Sequence, residues 1–152
     1  MLVGRCVLTI DDRVMGFCVF LGPTLISWNT KKQATISRSS AEAEFHSMGA
    51  VVFELLWISY LLRDLSISVP TRSVFYDNKA ALHIITNLIF HEHTKHLDIN
   101  CHVVRDQFKR GFIAPSHIPG ANQVANLFTK SPPVKDFTQL LFKLGLAPHA
   151  PP

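Results

Sequence analysis

The chain has 152 residues, enough for one ordinary domain with a hydrophobic core, and its composition of 47% hydrophobic and 17% charged residues excludes intrinsic disorder. The net charge of +4 is compatible with an anionic partner, although many soluble domains are as basic. Three widely spaced cysteines, Cys6, Cys18 and Cys101, indicate reduced intracellular thiols, and the longest apolar run, 48–62, is short and contains Glu54, which argues against a membrane span.

The chain opens with a weak strand signal. Residues 1–10 include apolar side chains suited to a strand, but Gly4 and Arg5 interrupt their alternation. Asp11 and Asp12 then mark a turn. The first strand is therefore the least certain element that the pattern indicates.

A hairpin signal follows. Two apolar runs rich in β-forming residues, 16–22 and 24–29, are joined by the turn dipeptide Gly22-Pro23. This arrangement is typical of an antiparallel hairpin. The polar, basic segment 30–33 then connects the hairpin to the next element.

The strongest pattern in the chain is a long amphipathic helix over 36–65. Ser39 is suited to the N-cap, and Glu42 three residues later completes a capping box. Apolar residues recur at the three- and four-residue spacing of a buried stripe. They are Phe45, Met48, Val52, Leu55, Leu56 and Leu62.

One acidic residue lies on the apolar face of that helix. With 3.6 residues per turn, Glu44 shares a face with Met48, Val51 and Leu55. A carboxylate there is costly unless it is paired, hydrogen-bonded or bound to a cation. Glu44 therefore either faces a polar site at the helix start or is a partly exposed first-turn residue favoured by the helix dipole.

A second carboxylate ends a strand. Residues 73–76 form a short buried strand that stops at Asp77-Asn78, and 79–85 reads as a short helix. In open α/β sheets ligands bind at the carboxyl ends of the strands, which makes Asp77 a candidate site residue. We assign Asn78 the simpler task of capping the next helix.

A helix over 91–108 carries several histidines. They are His91, His93, His96 and His102. Their spacing matches no compact zinc template, and no cysteine is close enough in sequence to complete one. A basic face near a phosphate backbone, or simply a solvated face, fits this pattern better than structural zinc.

The remaining elements complete an α/β pattern. We expect a strand over 111–118, a helix over 122–130, an amphipathic helix over 134–146 and a loose tail from 147. The order of elements indicates a sheet of about four or five strands with helices packed against it.

Several segments together resemble the C-terminal ribonuclease H domain of copia-type retrotransposon polyproteins. They are GFCVFLGPTLISWNTKKQATISRSSAEAEF at 16–45, ELLWISYLL at 54–62, YDNKAAL at 76–82, HEHTKHLDINCHVVRDQ at 91–107 and IPGANQVANLFTK at 118–130. Their order and spacing make the resemblance specific. It implies a ribonuclease H-like mixed sheet flanked by helices, with the domain at 1–146 truncated at its N-terminal strand and a tail at 147–152.

The resemblance also implies an activity. This family cleaves the RNA strand of RNA–DNA hybrids, with two Mg²⁺ (or Mn²⁺) ions about 4 Å apart held by carboxylates. The family supplies carboxylates from the first strand, the start of the long helix, the end of the fourth strand and a late helix. Glu44 would be the helix carboxylate and Asp77 the one at the strand end.

The other two carboxylate positions depart from the family pattern. The Asp-rich first-strand segment is absent, and the family spacing leads back to Arg5, with no carboxylate before Asp11. At the late helix Asn126 replaces an aspartate. His117 either corresponds to a histidine that assists product release in related enzymes or is an ordinary histidine at a strand end. Loss of two carboxylates predicts an inactive site, and replacement of the central first strand by residues 1–10 predicts a poorly completed sheet.

The resemblance implies partners as well. They are an RNA–DNA hybrid or duplex, and an upstream reverse transcriptase domain in the intact polyprotein, with no membrane. The setting would be intracellular, in a cytoplasmic particle or the nucleus. Candidate phosphate contacts are Lys31, Lys32, Arg38, Lys79 and Lys95. Two functions stay open: a hybrid-cleaving enzyme, and a non-catalytic remnant that still binds nucleic acid.

Overall fold

A computed structural model describes residues 4–11, 14–32, 40–79, 82–83, 86–87 and 99–146. Five strands form one sheet: β1 (Gly4–Asp11), β2 (Val14–Leu21), β3 (Thr24–Lys32), β4 (Arg72–Tyr76) and β5 (Ile113–His117). The helices are α1 (Ser40–Asp64), α2 (Ile99–Lys109) and α3 (Val134–Lys143), with two 3₁₀ segments, η1 (Gly120–Asn122) and η2 (Val124–Phe128).

The strand order across the sheet is β3-β2-β1-β4-β5. β1 pairs antiparallel with β2 and parallel with β4, and β5 continues the parallel part. Antiparallel hairpin strands at one side and parallel strands at the other make a mixed sheet with helices on both faces. The predicted α/β class, a mixed sheet flanked by helices, is confirmed.

The first strand is the central one. Residues 4–11 pair with β2 along their whole length, from Gly4 opposite Leu21 to Asp11 opposite Val14. On the other side Arg5 to Leu8 pair with β4. Residues 4–11 therefore form the central strand and complete the sheet, so the expectation of a poorly completed sheet was wrong. The poor alternation of apolar and polar residues was misleading, because a central strand is covered on both faces and therefore needs no polar face.

The predicted hairpin is formed by β2 and β3. Gly22, in the two-residue connection, has a φ of 61°, a left-handed conformation that glycine adopts without steric cost. Six consecutive residues of β2, Met15 to Phe20, are buried, whereas most of β3 is exposed at the edge of the sheet. β2 therefore carries core on both of its faces.

On one face of the sheet, α1 covers β1 and β2 and packs against α2. The predicted long helix is confirmed, starting at Ser40 and ending at Asp64. The buried cluster on this face joins side chains from strands and helices. It contains Met15, Phe17, Val19, Met48, Val51, Val52, Leu55, Val74, Tyr76, Val104 and Ile113.

On the opposite face, η2 and α3 cover β2 with a smaller cluster. It contains Cys18, Phe20, Val124, Ala125, Leu140 and Leu144. The helix expected over 122–130 is instead two short 3₁₀ segments, so that prediction was wrong in type. Gly16 explains how η2 comes so near, because a Cβ there would lie 2.9 Å from Thr129 Cγ2 and 3.2 Å from the Ala125 carbonyl oxygen.

The other predicted helices have mixed outcomes. After Asn78, the described residues of the predicted helix 79–85 are helical, and the Leu82 amide donates to the Asn78 carbonyl oxygen at 3.2 Å. The histidine-bearing helix is described only from Ile99, so His91, His93 and His96 lie outside the described residues.

No helix in the described part of the chain combines the length and the apolar character that a bilayer span needs.

Candidate functional site

Three parallel strands, β1, β4 and β5, end at the same edge of the sheet, and the candidate site lies there. Asp77 directly follows β4 and is half-buried. His117 is the last residue of β5 and pairs in register with Tyr76, the residue before Asp77. The Ile118 amide donates to the Tyr76 carbonyl oxygen at 2.7 Å, which holds the ends of the two strands together. The structure thus brings Asp77 and His117 to neighbouring strand ends.

The register of β1 shows which residues accompany Asp77 on the central strand. Arg5 pairs with Ser73 and Leu8 with Tyr76, so continuing the register by one residue places Thr9 level with Asp77. Arg5, the position reached by the family's spacing, lies four residues further back, or about 13 Å along the strand. By this register, the strand position beside Asp77 is therefore Thr9 rather than Arg5.

Thr9 also connects the site to η2. It pairs with Gly16, and Gly16 is the residue on which η2 rests. η2 carries Asn126, and this segment contacts both β1 and β2. The backbone therefore places Thr9 beside β4, which Asp77 follows, and packs the Asn126 segment against β1 and β2.

Asn126 is engaged in the local turn structure. Its Nδ2 donates to the Gly120 carbonyl oxygen at 3.2 Å, and its own carbonyl oxygen accepts from the Thr129 and Lys130 amides at 3.2 and 2.9 Å. Asn126 and Lys130 also line a cavity of about 500 Å³ with residues of α3, among them Asp136. The Asn126 side chain thus ties η2 to η1.

Glu44 lies in the first turns of α1, as the sequence predicts. The helix contacts β1, the strand beside β4. The Glu44 side chain lies outside the described part of the structure. Its role as a ligand stays a prediction.

The predicted phosphate contacts fall into two groups. Lys31 and Lys32 end β3 and are exposed, and Lys79 is exposed two residues after Asp77. Arg38 and Lys95 lie outside the described residues. Sequence reasoning missed Trp28, which is 60% exposed on β3 although its strand pattern is that of an apolar run. Side chains on a strand alternate between faces, so Trp28 and Lys32 share one face.

The pKa of one arginine is lowered by its surroundings. Burial lowers the pKa of the Arg72 guanidinium, which lies 4.1 Å from the centroid of the Phe112 ring. Arg72 begins β4, at the end of the sheet opposite Asp77. Its cation–π contact fixes β4 beside the loop before β5 and takes no part in the candidate site.

The donor set at the strand ends does not fit two divalent cations. Hard cations need several oxygen ligands, and negative charge must offset their dehydration. Among the residues that the structure describes, no group of three or more His, Cys, Asp or Glu side chains is placed to hold a metal. Thr9, level with Asp77, brings no charge. The described side chains at the strand ends therefore do not by themselves make a two-metal site, and the Glu44 side chain lies outside them.

Comparison with known proteins identifies the relatives. The chain is 36% identical over 145 residues to the retrovirus-related Pol polyprotein from transposon RE1 of Arabidopsis thaliana, which covers 93% of the chain. It is also 36% identical over 139 residues to that from transposon RE2 of the same plant, covering 90% of the chain. The chain belongs to the Pol polyproteins of copia-type transposons. The matched segment spans 10% of the length of each of these polyproteins.

This Pol segment was also compared with protein-family models and with solved structures. No protein-family model matches it. Among solved structures, that of Thermus thermophilus RuvC aligns with 99% of the chain and 84% of its own, at 13% sequence identity and a TM-score of 0.38.

Proposed function

We propose that this Pol segment is a ribonuclease H-like module that binds an RNA–DNA hybrid or duplex without cutting it. The observation that carries the proposal is the register of the central strand beside Asp77. Residues 4–10 contain no carboxylate, and the first one, Asp11, lies about 7 Å beyond the level of Asp77, two residues further along the strand.

The charge balance supports the loss of cleavage. A two-metal hydrolase uses its cations to generate the nucleophile and to stabilise the leaving oxygen, and carboxylates hold both ions. This chain offers Glu44 and Asp77, while Thr9 and Asn126 are neutral where a four-carboxylate site needs negative charge. With half of the charge gone, we expect Mg²⁺ and Mn²⁺ to bind too weakly for turnover.

The retained binding surface is the exposed end of β3. Lys31 and Lys32 would contact phosphates, and Trp28 on the same strand offers a ring on which a base can stack. Asp77 and Lys79 follow β4, one of the parallel strands of the same sheet. A duplex that lies across the carboxyl ends of the strands would thus contact the lysines of β3 first. It would then contact the candidate site at Asp77, which has two fewer carboxylates than the family's site.

Cleavage of a labelled RNA–DNA hybrid in Mg²⁺ and in Mn²⁺ tests the catalytic half of the proposal. The unmodified chain should not cut. A variant with Thr9→Asp and Asn126→Asp should gain metal-dependent cleavage that Glu44→Gln abolishes, because it returns both charges at the positions given by the register. Arg5→Asp with Asn126→Asp is the matched control and should stay inactive.

Two outcomes of this assay are decisive. Cleavage by the unmodified chain that Glu44→Gln abolishes would show that two carboxylates suffice, and the segment would be an enzyme. Silence of the Thr9 variant, with a melting curve like that of the unmodified chain, would show that a carboxylate at Thr9 does not restore the site.

Binding of the same hybrid in EDTA tests the other half. We expect binding that weakens as salt rises, and Lys31→Ala with Lys32→Ala should reduce the slope of log K against log salt by about 2, or roughly one per lost phosphate contact. Lys109→Ala with Lys135→Ala, on the exposed surfaces of α2 and α3, should leave the slope unchanged. Failure of the unmodified chain to bind hybrid or duplex DNA would disprove the proposal.

A hybrid-cleaving hydrolase is the second candidate function. The position of Asp77 at a strand end beside His117 favours it, since this is the sheet edge where ligands of α/β proteins bind. The cleavage assay distinguishes the two functions directly.

A further inference from the structure

A groove of about 520 Å³ lies between the β2–β3 hairpin and the carboxyl end of α3. Trp28 lies on its β3 side. Trp28 pairs with Cys18, which is buried in the cluster under η2 and α3, and paired residues on neighbouring strands point to the same face of a sheet. The main apolar residues of the groove are Pro23, Leu25, Trp28, Phe128, Leu144 and Leu146. We call this feature the Trp28 groove.

The walls of the Trp28 groove are apolar and open to solvent. Trp28 and Leu146 are 60% and 66% exposed, whereas Leu144 is buried. Among the described residues that line the groove, none is charged. Its volume is within the range of small-molecule sites, and the rings of Trp28 and Phe128 favour a flat ring system over a phosphate or a carboxylate.

The segments on both sides of the groove carry positive charge. Residues 14–32 contain two lysines and no acidic residue, and residues 118–146 contain three lysines and one aspartate, so the two segments together have a net charge of +4. Residues 40–79, which include α1, contain five acidic and three basic residues, a net charge of −2. A polyanion is therefore the partner whose charge complements the segments that form the groove.

Two of these lysines belong to the elements next to the groove. Lys143 ends α3, and its Nζ donates to the Ala121 carbonyl oxygen at 3.3 Å and to Asn122 Oδ1 at 2.7 Å. Both acceptors are uncharged, so these contacts hold the ammonium group in place without cancelling its charge. Lys32 shares the Trp28 face of β3 and lies four residues, or about 13 Å, further along the strand. Phosphates on either side of a nucleotide in the groove would thus find a cation on each of the two elements.

An intact duplex cannot use the Trp28 ring. Its bases are stacked on one another, so between its ends it presents base edges in its grooves and no free flat face. Single-stranded nucleic acid does present such faces, and proteins commonly hold it by stacking unpaired bases on aromatic rings. We infer, on the basis of the proposed function, that the Trp28 groove binds an unpaired nucleobase from a single-stranded extension of the hybrid or duplex whose phosphates contact β3. The preferred ligand is therefore a duplex that carries a single-stranded extension.

Paired ligands that differ only in their bases provide the test. The chain is mixed in EDTA with a blunt RNA–DNA hybrid, with the same hybrid carrying a thymidine extension of about four nucleotides on either strand, and with the same extension made abasic. The two extensions have the same phosphates. The unmodified chain should bind the thymidine extension at least about fivefold more tightly than the abasic one, which is the lower limit for one base stacked on an aromatic ring.

Fluorescence shows where the base lies. The chain contains two tryptophans, Trp28 and Trp57, so Trp57→Phe leaves Trp28 as the single emitter. A base stacked on the indole should quench its emission. The abasic extension should leave the emission as it is with the blunt hybrid.

Matched variants assign the preference to one ring. Trp28→Ala should lower the ratio of the two affinities to about one, and Trp28→Phe, which keeps an aromatic ring, should restore part of the ratio. Trp57→Ala is the control, because Trp57 is 61% exposed on α1, and it should keep the full ratio. All three variants should melt like the unmodified chain, because both indoles are mostly exposed to solvent.

Three results would overturn the inference. One is salt-dependent binding of all the ligands with equal affinity for the thymidine and abasic extensions, which leaves the proposed function intact. Another is binding of none of them, which disproves the proposed function as well. The third is Trp28 emission that changes on dilution of the chain alone, or on removal of residues 147–152, and not on addition of the thymidine extension. A second copy or the chain's own end would then fill the groove.

Discussion

Gly16 lies between the strand that carries Thr9 and the 3₁₀ segment that carries Asn126. It belongs to β2, pairs with Thr9 of β1, and lies under η2, the segment of Asn126. An added Cβ would lie 3.0 Å from Phe128 Cβ and 3.2 Å from the Ala125 carbonyl oxygen, and neither atom is the end of a flexible side chain. The absence of a side chain at this position therefore sets the distance between η2 and the sheet.

We predict that Gly16→Ala destabilises the chain by about 1–3 kcal/mol, because η2 must shift away from β2 to make room. Gly120→Ala is the matched control, since a Cβ there meets no atom within 4 Å. Urea unfolding of both variants measures the difference. Equal stability of the Gly16 and Gly120 variants would contradict the close approach.

At the scale of elements, a side-chain hydrogen bond connects the edge strand to the long helix. Ser27 Oγ of β3 donates to Glu54 Oε1 of α1 at 2.7 Å, and both residues are half-buried. Hydrogen bonds to charged groups contribute about 1.5–3 kcal/mol when they are shielded, and less where water reaches them. This contact fixes β3, which also pairs with β2 and whose Thr30 Oγ1 donates to the Phe128 carbonyl oxygen, against the helix.

We expect Ser27→Ala to lower the free energy of unfolding by about 1 kcal/mol. A double-mutant cycle with Glu54→Gln isolates the contact from the separate effects of the two substitutions, and the coupling should be at least about 0.5 kcal/mol. A coupling near zero would show that water competes fully for Glu54 and that this hydrogen bond does not hold β3 against the helix.

The elements differ in how readily the sequence reveals them. The hairpin and α1 have local signals, namely the Gly22-Pro23 turn and a helical stripe, so their existence and type are predictable. β1 and η2 lack such signals, because β1 owes its place to strands on both sides and η2 to the gap left by Gly16. Asp77 was predictable from its strand end, whereas Thr9 could be found only from the pairing of β1 with β4.

At the scale of the whole molecule, stability depends on the central strand. β1 pairs with β2 along its full length and with β4 over four residues, so it joins the antiparallel half of the sheet to the parallel half. Helices cover both faces. Loss of β1 pairing would separate the two halves of the core at once.

We therefore predict a single cooperative thermal transition, with the amides of Cys6, Val7 and Leu8 among the slowest to exchange with deuterium. Calorimetry and hydrogen exchange provide the two measurements. Two resolved transitions, or rapid exchange at these three amides, would show that residues 4–11 are only loosely joined to the sheet.

The two outer strands also decide how this molecule behaves when many copies are crowded together. A free strand edge can template pairing with another chain, which leads to aggregation. β5 is only five residues long and contains Pro115, which has no amide hydrogen to donate. β3 carries a register shift that leaves Ile26 without a partner on β2, and it ends in Lys31 and Lys32. Each edge thus carries a feature that discourages strand-to-strand assembly, so the sheet can expose both of its edges without polymerising through them.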